Sequence, residues 1–279
     1  MTDVATAFVP GHITGFFTKD ADPDPTKAGS RGGGLTLSDG VTVTVRPSDD
    51  PETYLDGDPV EMGAVDRVLD ALDVSAQVRG VTDLPLGSGF GVSGAMALGT
   101  ALAANDAFER KLSERELTTI AHGAEVQAGT GLGDVVAQAR GGAPIRLEPG
   151  GPQDNELDGI PARSRVEYHV IGQLSTDDVL ADAGDKLTQA GTRALSMVVG
   201  EPTLETFMRA ARQFSREADL ITPDVREVIL DVSEAGGTAA MAMLGRTVFA
   251  LGTGLSDAGY DPDVCRIHPC GGTLQEPGE

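Results

Sequence analysis

The sequence predicts a two-lobed α+β protein, and three observations support this. At 279 residues the chain is long enough for more than one compact unit. Alternating apolar stretches typical of half-buried strands are interspersed with stretches of helical spacing, which is the pattern of a mixed fold. A segment rich in proline, glycine and acidic residues, EPGGPQDNELDGIPARS at residues 148–164, lies between two such sets and is typical of an exposed connector. We therefore expect one domain over residues 1–155 and a second over residues 156–279.

The first half alternates strands with helices. The helix after Phe108 has the clearest start, because Ser113 and Glu116 have the spacing of a capping box. The predicted elements are a strand at 41–45 (VTVTV), a helix from Met62, a strand at 74–80 (VSAQVRG), helices at 94–108 and 113–127, and a short strand at 144–149 (PIRLEP).

The second half repeats the alternation in another order. A strand comes first, three amphipathic helices follow it, and two strands close the chain. These elements are VEYHVIG at 166–172, helices at 179–198, 204–218 and 224–235, and the strands TVFALG at 247–252 and VCRIH at 264–268.

Composition excludes several partners. The chain has 21 basic and 43 acidic residues, a formal net charge of -22, which repels nucleic acid and anionic membrane surfaces. The acidic residues are spread along the chain and only four residues are lysine, as in proteins kept soluble in concentrated salt. An ordinary acidic cytosolic protein is the alternative.

No targeting or membrane segment is recognisable in the sequence. The longest apolar candidate, MAMLGRTVFALG, is broken by Arg246, and the N-terminal MTDVATAFVP lacks the features of a signal peptide. We expect a cytoplasmic protein. Cys265, His268 and Cys270 offer only three metal ligands, so two reduced thiols are expected ahead of a metal site or a disulfide.

The stretch PLGSGFGVSGAMALG, residues 85–99, is a glycine-rich loop that leads into a helix. Such a loop collects unpaired backbone N–H groups at the positive end of the helix dipole, which is how proteins cradle phosphate. A flexible turn before a closely packed helix is the other interpretation.

Three phosphate-binding patterns compete for this loop. A Walker A loop is excluded, because no lysine in the chain is followed by serine or threonine. The dinucleotide fingerprint is present at residues 89–94, but Pro85 interrupts the preceding strand and the expected ribose-binding acid is missing. The third pattern, Pro-x-Gly-x-Gly-x-Gly-x-Ser-x-Ala, is filled completely from Pro85 to Ala95.

With this third pattern the sequence resembles the GHMP kinases, the superfamily of galactose, homoserine, mevalonate and phosphomevalonate kinases. The resemblance implies that ATP binds to Pro85, Gly87, Ser88, Gly89, Phe90, Gly91, Val92, Ser93, Gly94 and Ala95. Val92 and Gly94 depart from the residues the family often has there. Two further stretches are similar to family motifs, namely AFVPGHITGFF at 7–17, read as a strand and a substrate-facing turn that contains His12, and GGTAAMAMLGRTVFA at 236–250.

Phosphoryl transfer needs charge neutralisation on the phosphate and a group that positions or deprotonates the attacking hydroxyl. Glu125 lies near the end of a helix, and Asp134 follows a TGLG turn. The resemblance implies that Ser93 and Glu125 bind Mg2+ and that Asp134 is the base or the orienting carboxylate. An isolated Glu or Asp would otherwise be read as part of a solvated helix face.

The combination of these motifs with GSRGGG at 29–34 is most similar to the archaeal pantoate kinase branch of the family. This similarity implies transfer of phosphate from ATP to the primary hydroxyl of pantoate, a step towards coenzyme A. The implied substrate residues are His12, Ser30, His122, Arg146 and Thr176, and Arg146 is the natural partner of the substrate carboxylate.

The resemblance also implies a fold with an N-terminal ribosomal-S5-like lobe and a C-terminal ferredoxin-like lobe, and a homodimer. Three alternatives stay open: a GHMP kinase for homoserine or mevalonate, a catalytically silent nucleotide-binding protein, and a Rossmann oxidoreductase.

Overall fold

The computed structural model describes residues 4–173 and 184–276. Within these ranges the chain forms twelve strands and eight helices. The strands are β1 Ala5–Phe17, β2 Gly32–Pro47, β3 Thr53–Leu55, β4 Asp58–Pro59, β5 Ala76–Val81, β6 Ala143–Glu148, β7 Glu156–Ile160, β8 Arg165–Gly172, β9 Ala239–Ala242, β10 Arg246–Leu251, β11 Asp263–Arg266 and β12 Thr273–Leu274. The helices are α1 Gly63–Leu72, α2 Val92–Ala107, α3 Glu114–Ala128, α4 Asp134–Arg140, α5 Gly184–Gly200, α6 Leu204–Glu217, α7 Pro223–Glu234 and α8 Gly254–Asp257.

The larger sheet is built on the long antiparallel pair of β1 and β2. The strand order is β12-β1-β2-β5-β3-β4, and β6 and β7 extend the sheet from β2. The register of β1 on β2 shifts between Pro10 and His12, where residues 37–39 of β2 lie opposite Gly11, so β2 bulges there while β1 continues. The predicted turn after Pro10 is therefore wrong: the chain stays in the sheet through Phe17, because β2 pairs with both sides of the bulge.

Helix α2 is the central element of the first half. Twelve of its residues, almost all small or apolar, are buried, and it packs on β1, β2, α1 and α3. A helix that is apolar on every side belongs in the interior of a fold. The beginning of α2, and with it the glycine-rich loop, is therefore held firmly by its surroundings.

The smaller sheet has the order β11-β8-β10-β9 and is antiparallel throughout. Helix α6 joins the two sheets, because the ring of Phe207 contacts Phe16 of β1 and Phe249 of β10, with ring centroids 5.9 and 6.3 Å apart. β12 pairs with β1, so the second half also contributes a strand to the larger sheet. This architecture confirms the predicted α+β fold class.

Most predicted elements are confirmed, including the capping box of Ser113 and Glu116, in which both reciprocal hydrogen bonds form. The first five residues of the helix predicted at 179–198 lie outside the described residues. The expected connector is wrong in one respect, because its residues 156–160 form β7, which pairs with β6. The division into domains at residue 155 stays a prediction. In the described part of the chain, no helix combines the length and the apolar character that a membrane span requires.

Candidate active site

The glycine-rich loop has the backbone of a phosphate cradle. Gly87, Gly89 and Gly91 all have positive φ angles, of 75°, 89° and 63°, which other residues adopt only at a cost. Helix α2 begins at Val92, directly after Gly91 and two residues earlier than predicted. The backbone N–H groups of its first turn have no partner within the helix and are free for an anion.

The loop forms one wall of a cleft of about 290 Å³. Its predicted ATP residues divide into two groups. Those that line the cleft are Gly87, Gly89, Phe90, Gly91, Val92, Ser93 and Gly94. Pro85, Ser88 and Ala95 do not line it, and Ser88 and Ala95 are buried behind it.

The cleft also contains residues that sequence reasoning missed. These are Thr14, Glu61, Met62, Gly63, Leu86, Thr130, Met243 and Leu244. Met243 and Leu244 belong to the stretch at 236–250 that is similar to a family motif, so the sequence does point to this part of the cleft. Nothing in the sequence marks Glu61, Met62 or Gly63, which reach the cleft because α1 packs against α2 and α3.

The glycine-rich loop contacts the turn between β9 and β10 and the beginning of β10. The Thr247 hydroxyl donates to the Ser88 carbonyl at 2.8 Å. A Cβ atom on Gly245 would lie 2.1 Å from that same carbonyl, so only glycine allows this approach. The Met243 N–H donates to the Thr14 carbonyl at 2.9 Å. The second half of the chain therefore supports the loop directly.

The Ser93 hydroxyl and the Glu125 carboxylate lie together at the cleft. The Ser93 hydroxyl donates to Glu125 Oε1 at 2.5 Å, and the Thr130 hydroxyl donates to the same oxygen at 2.7 Å. Glu125 is 2% exposed, and burial raises its pKa to about 7 despite these hydrogen bonds. A carboxylate in this setting is stabilised by a cation.

Asp134 is the first residue of α4 and lines the same cleft. Burial alone would raise its pKa, but the hydrogen bond with His12 and the positive charge of Arg146 lower it below the usual value. The residue is therefore an ionised carboxylate. His12 Nδ1 lies 2.7 Å from Asp134 Oδ1, and His12 is fully buried and does not line the cleft.

Gln138, one turn after Asp134, links α4 to the phosphate loop. Its side-chain amide donates to the Gly91 carbonyl at 2.9 Å. Gln138 thus connects the helix that carries Asp134 to the glycine-rich loop, and the sequence does not mark it because an isolated glutamine on a short helix carries no motif.

Two of the predicted substrate residues, Ser30 and Arg146, lie beside Asp134, and neither they nor His122 line the cleft. A Cβ atom on Gly133 would lie 2.5 Å from Ser30 Oγ and 2.6 Å from Arg146 Nε, so both side chains lie against this turn. Arg146 is 1% exposed; its Nε donates to the Ser30 carbonyl, and Nη1 has no hydrogen-bond partner among the described residues. His122 Nε2 donates to the Ala28 carbonyl at 2.8 Å, and burial lowers the pKa of His122. Thr176 lies outside the described residues.

The chain is similar to known proteins along most of its length. Residues 61–142 match the GHMP kinases N terminal domain. A pantoate kinase of Methanospirillum hungatei is 34% identical over 88% of this chain and 87% of its own length, and one of Methanocaldococcus jannaschii is 32% identical over 94% and 99%.

A solved structure described as a phosphotransferase related to the CoA biosynthesis pathway superposes with a TM-score of 0.88 at 30% identity and covers 99% of this chain and 100% of its own. The chain therefore belongs to the GHMP kinases and, within them, to the pantoate kinase family.

Proposed function

We propose that this protein transfers the γ-phosphate of ATP to the primary hydroxyl of pantoate, giving 4-phosphopantoate and ADP. The observation that carries the choice of acceptor is the buried guanidinium of Arg146, whose Nη1 has no partner in the described part of the chain. A buried charge without a full set of hydrogen bonds is costly, and a carboxylate is the natural partner of a guanidinium. The pantoate carboxylate supplies that partner, within reach of Asp134.

ATP lies with its phosphates against the N-terminus of α2. The backbone N–H groups of the first turn and the positive end of the helix dipole bind the phosphate oxygens. Loop residues with φ angles that favour glycine bring the backbone close to the ligand, as at Gly89 and Gly91.

Ser93 and Glu125 would hold Mg2+. Both groups provide oxygen, the ligand that Mg2+ prefers, and the ion commonly takes one or two protein oxygens and completes its shell with phosphate and water. The raised pKa of Glu125 fits a carboxylate placed to receive a cation. When bound, Mg2+ neutralises charge on the transferred phosphate.

Asp134 activates the acceptor. The acceptor hydroxyl donates a hydrogen bond to its carboxylate, and the hydroxyl oxygen forms a bond to the γ-phosphorus as the bond to the ADP oxygen breaks. The hydroxyl proton passes to Asp134. The lowered pKa of Asp134 keeps the carboxylate ionised, so it can accept the hydrogen bond that orients the acceptor hydroxyl.

The deciding experiment measures ADP release by the purified protein with Mg2+ and ATP, in a series of KCl concentrations. Pantoate is compared with homoserine, mevalonate, pantothenate and no acceptor, and the phosphorylated product is identified by mass spectrometry. Turnover with pantoate alone, lost in Asp134→Ala while nucleotide still binds, supports the proposal. Turnover with homoserine or mevalonate instead overturns the acceptor but keeps the kinase, and nucleotide binding without turnover on any acceptor identifies a silent binding protein.

The proposal includes a cytoplasmic homodimer with a high salt optimum. The net charge of -22 supports the salt requirement, because dissolved ions screen the repulsion within the chain. Sedimentation of the protein and its activity across the KCl series test the dimer and the salt optimum.

A further inference from the structure

We propose that His12 is a positioning residue that holds Asp134 through its Nδ1–H group and does not itself touch the substrate. This inference rests on the proposed function, in which Asp134 takes the proton of the acceptor hydroxyl. It changes the role expected for His12 from the sequence, where the residue was placed among the substrate contacts.

The first observation is the position of His12 between two functional groups. Its backbone N–H donates to the Phe90 carbonyl in the phosphate loop at 2.9 Å, and its side chain bonds to Asp134 at 2.7 Å. His12 directly follows the point where β2 bulges opposite Gly11, and it is paired there with Thr36 of β2. A single residue of the sheet thus fixes the nucleotide loop and the catalytic carboxylate relative to each other.

The second observation is that the protein leaves the imidazole one protonation state. An ionised carboxylate only accepts hydrogen bonds, so the proton must be on Nδ1. The other nitrogen, Nε2, has no partner among the described residues. It lies against the backbone of Gly34, where a Cβ atom would come within 2.1 Å of it. A proton on Nε2 would be a buried donor without an acceptor, which is costly.

The burial of His12 also favours a neutral ring. His12 is 0% exposed, and desolvation lowers its pKa even though Asp134 acts in the opposite direction. The ring is therefore neutral, with Nδ1 as donor, and Asp134 keeps its negative charge for the acceptor hydroxyl.

The third observation concerns the two oxygens of Asp134. Oδ1 is occupied by His12. Oδ2 faces the turn at Gly131, where an added Cβ would lie 3.4 Å from it and 2.1 Å from Glu125 Oε2. His12 thus fixes the orientation of the carboxylate, and Oδ2 is on the side of the proposed metal ligand. A carboxylate rotated away from this geometry would lose alignment with the phosphate, and misplacement by about 1 Å can cost on the order of a hundredfold in rate.

Two substitutions separate positioning from other roles. His12→Asn keeps an N–H donor near the position of Nδ1, whereas His12→Leu has a similar volume and no donor. We expect His12→Leu to lower kcat on the order of a hundredfold with KM for ATP and pantoate changed by less than about threefold. His12→Asn should recover at least about tenfold of that loss. His169→Asn is the matched control, because His169 lies on β8 with its ring against Tyr260 and outside the cleft.

The results that overturn the inference are equally specific. Equal losses in the Asn and Leu variants would show that the donor is irrelevant, and wild-type kcat in His12→Leu would remove the role altogether. A rise confined to KM for pantoate would show direct substrate contact. Nucleotide-induced thermal stabilisation of each variant checks that it is folded.

A measurement without turnover distinguishes this inference from the proposed function and decides the matter if His12→Leu does not fold. The chain has four histidines, so 15N chemical shifts of the ring nitrogens can be assigned with His12→Asn. We expect a neutral ring protonated on Nδ1 in the wild type and loss of that single state in Asp134→Ala. A ring protonated on Nε2 or on both nitrogens would contradict the inference. Inactivity towards pantoate with the expected tautomer would overturn only the proposed function.

Discussion

The burial of Glu125 has a measurable cost to the protein without nucleotide or metal. Its pKa rises from 4.5 to about 7, and this shift corresponds to about 3 kcal/mol. The perturbation that exposes this cost is Glu125→Gln, which keeps the shape of the side chain and cannot ionise.

The direction in which stability changes with pH follows from which state, folded or unfolded, holds the proton. Between pH 4.5 and about 7 the folded protein retains a proton on Glu125 that the unfolded chain has released, so the stability of the wild type falls as pH rises through this window. Below pH 4.5 both states are protonated, and well above pH 7 both are ionised, so the contribution is constant in each range.

The assay is thermal unfolding of the metal-free and nucleotide-free proteins from pH 4.5 to pH 8.5, with the variant compared with the wild type at each pH. We expect the variant to gain about 3 kcal/mol on the wild type across the range, or roughly 6–12 °C in Tm. Titrations of other groups are common to both proteins and cancel in the difference.

Glu114→Gln, at an exposed position on the same helix, is the control for removing a charge. A difference between wild type and Glu125→Gln that does not change with pH would refute the reasoning, because it would mean that the carboxylate is well solvated.

Three further predictions concern the loop, the acceptor site and the scaffold. Gly89→Ala places a Cβ 2.9 Å from the Met243 carbonyl at a φ of +89°, so we expect KM for ATP to rise roughly tenfold or more, measured by titration with nucleotide at saturating pantoate. Arg146→Lys keeps the charge but loses the planar pair of donors, and KM for pantoate should rise at least about tenfold with KM for ATP unchanged; an unchanged pantoate KM would contradict the assignment of Arg146. Ser113→Ala removes the capping hydroxyl of α3 and should cost about 1 kcal/mol in urea unfolding without changing kcat.

Local patterns predicted the backbone of the glycine-rich loop and the location of three candidate residues. The spacing of glycines from Gly87 to Gly91 reflects a backbone requirement that few residue types satisfy, and the structure has positive φ at each of them. Ser93, Glu125 and Asp134 follow from the same family resemblance, and all three line one cleft. The predicted roles of the three residues stay predictions until they are measured.

The sequence did not reveal features that depend on contacts between distant residues. The residues of β7 include acids and glycine, which are typical of a connector. They form a strand because they pair with the edge of β6. The Pro-Gly context predicted a substrate-facing turn at His12, whereas pairing with Thr36 of β2 keeps His12 in the sheet and the backbone of Gly34 covers its ring. Neither the pairing partner nor the covering residue is adjacent in sequence, so no local pattern encodes them.

The contact between Ser88 and the start of β10 means that nucleotide binding can report on folding. The nucleotide loop is completed by Thr247, 159 positions later in the chain, so its final shape depends on a contact of very long sequence separation that forms only at the cost of loop-closure entropy. A ligand that binds only the finished loop shifts the folding equilibrium by mass action, by about 2.7 kcal/mol when its concentration is a hundred times its Kd. Nucleotide in the refolding buffer should therefore raise the yield of protein in which both halves are assembled, even though it touches only a small part of either.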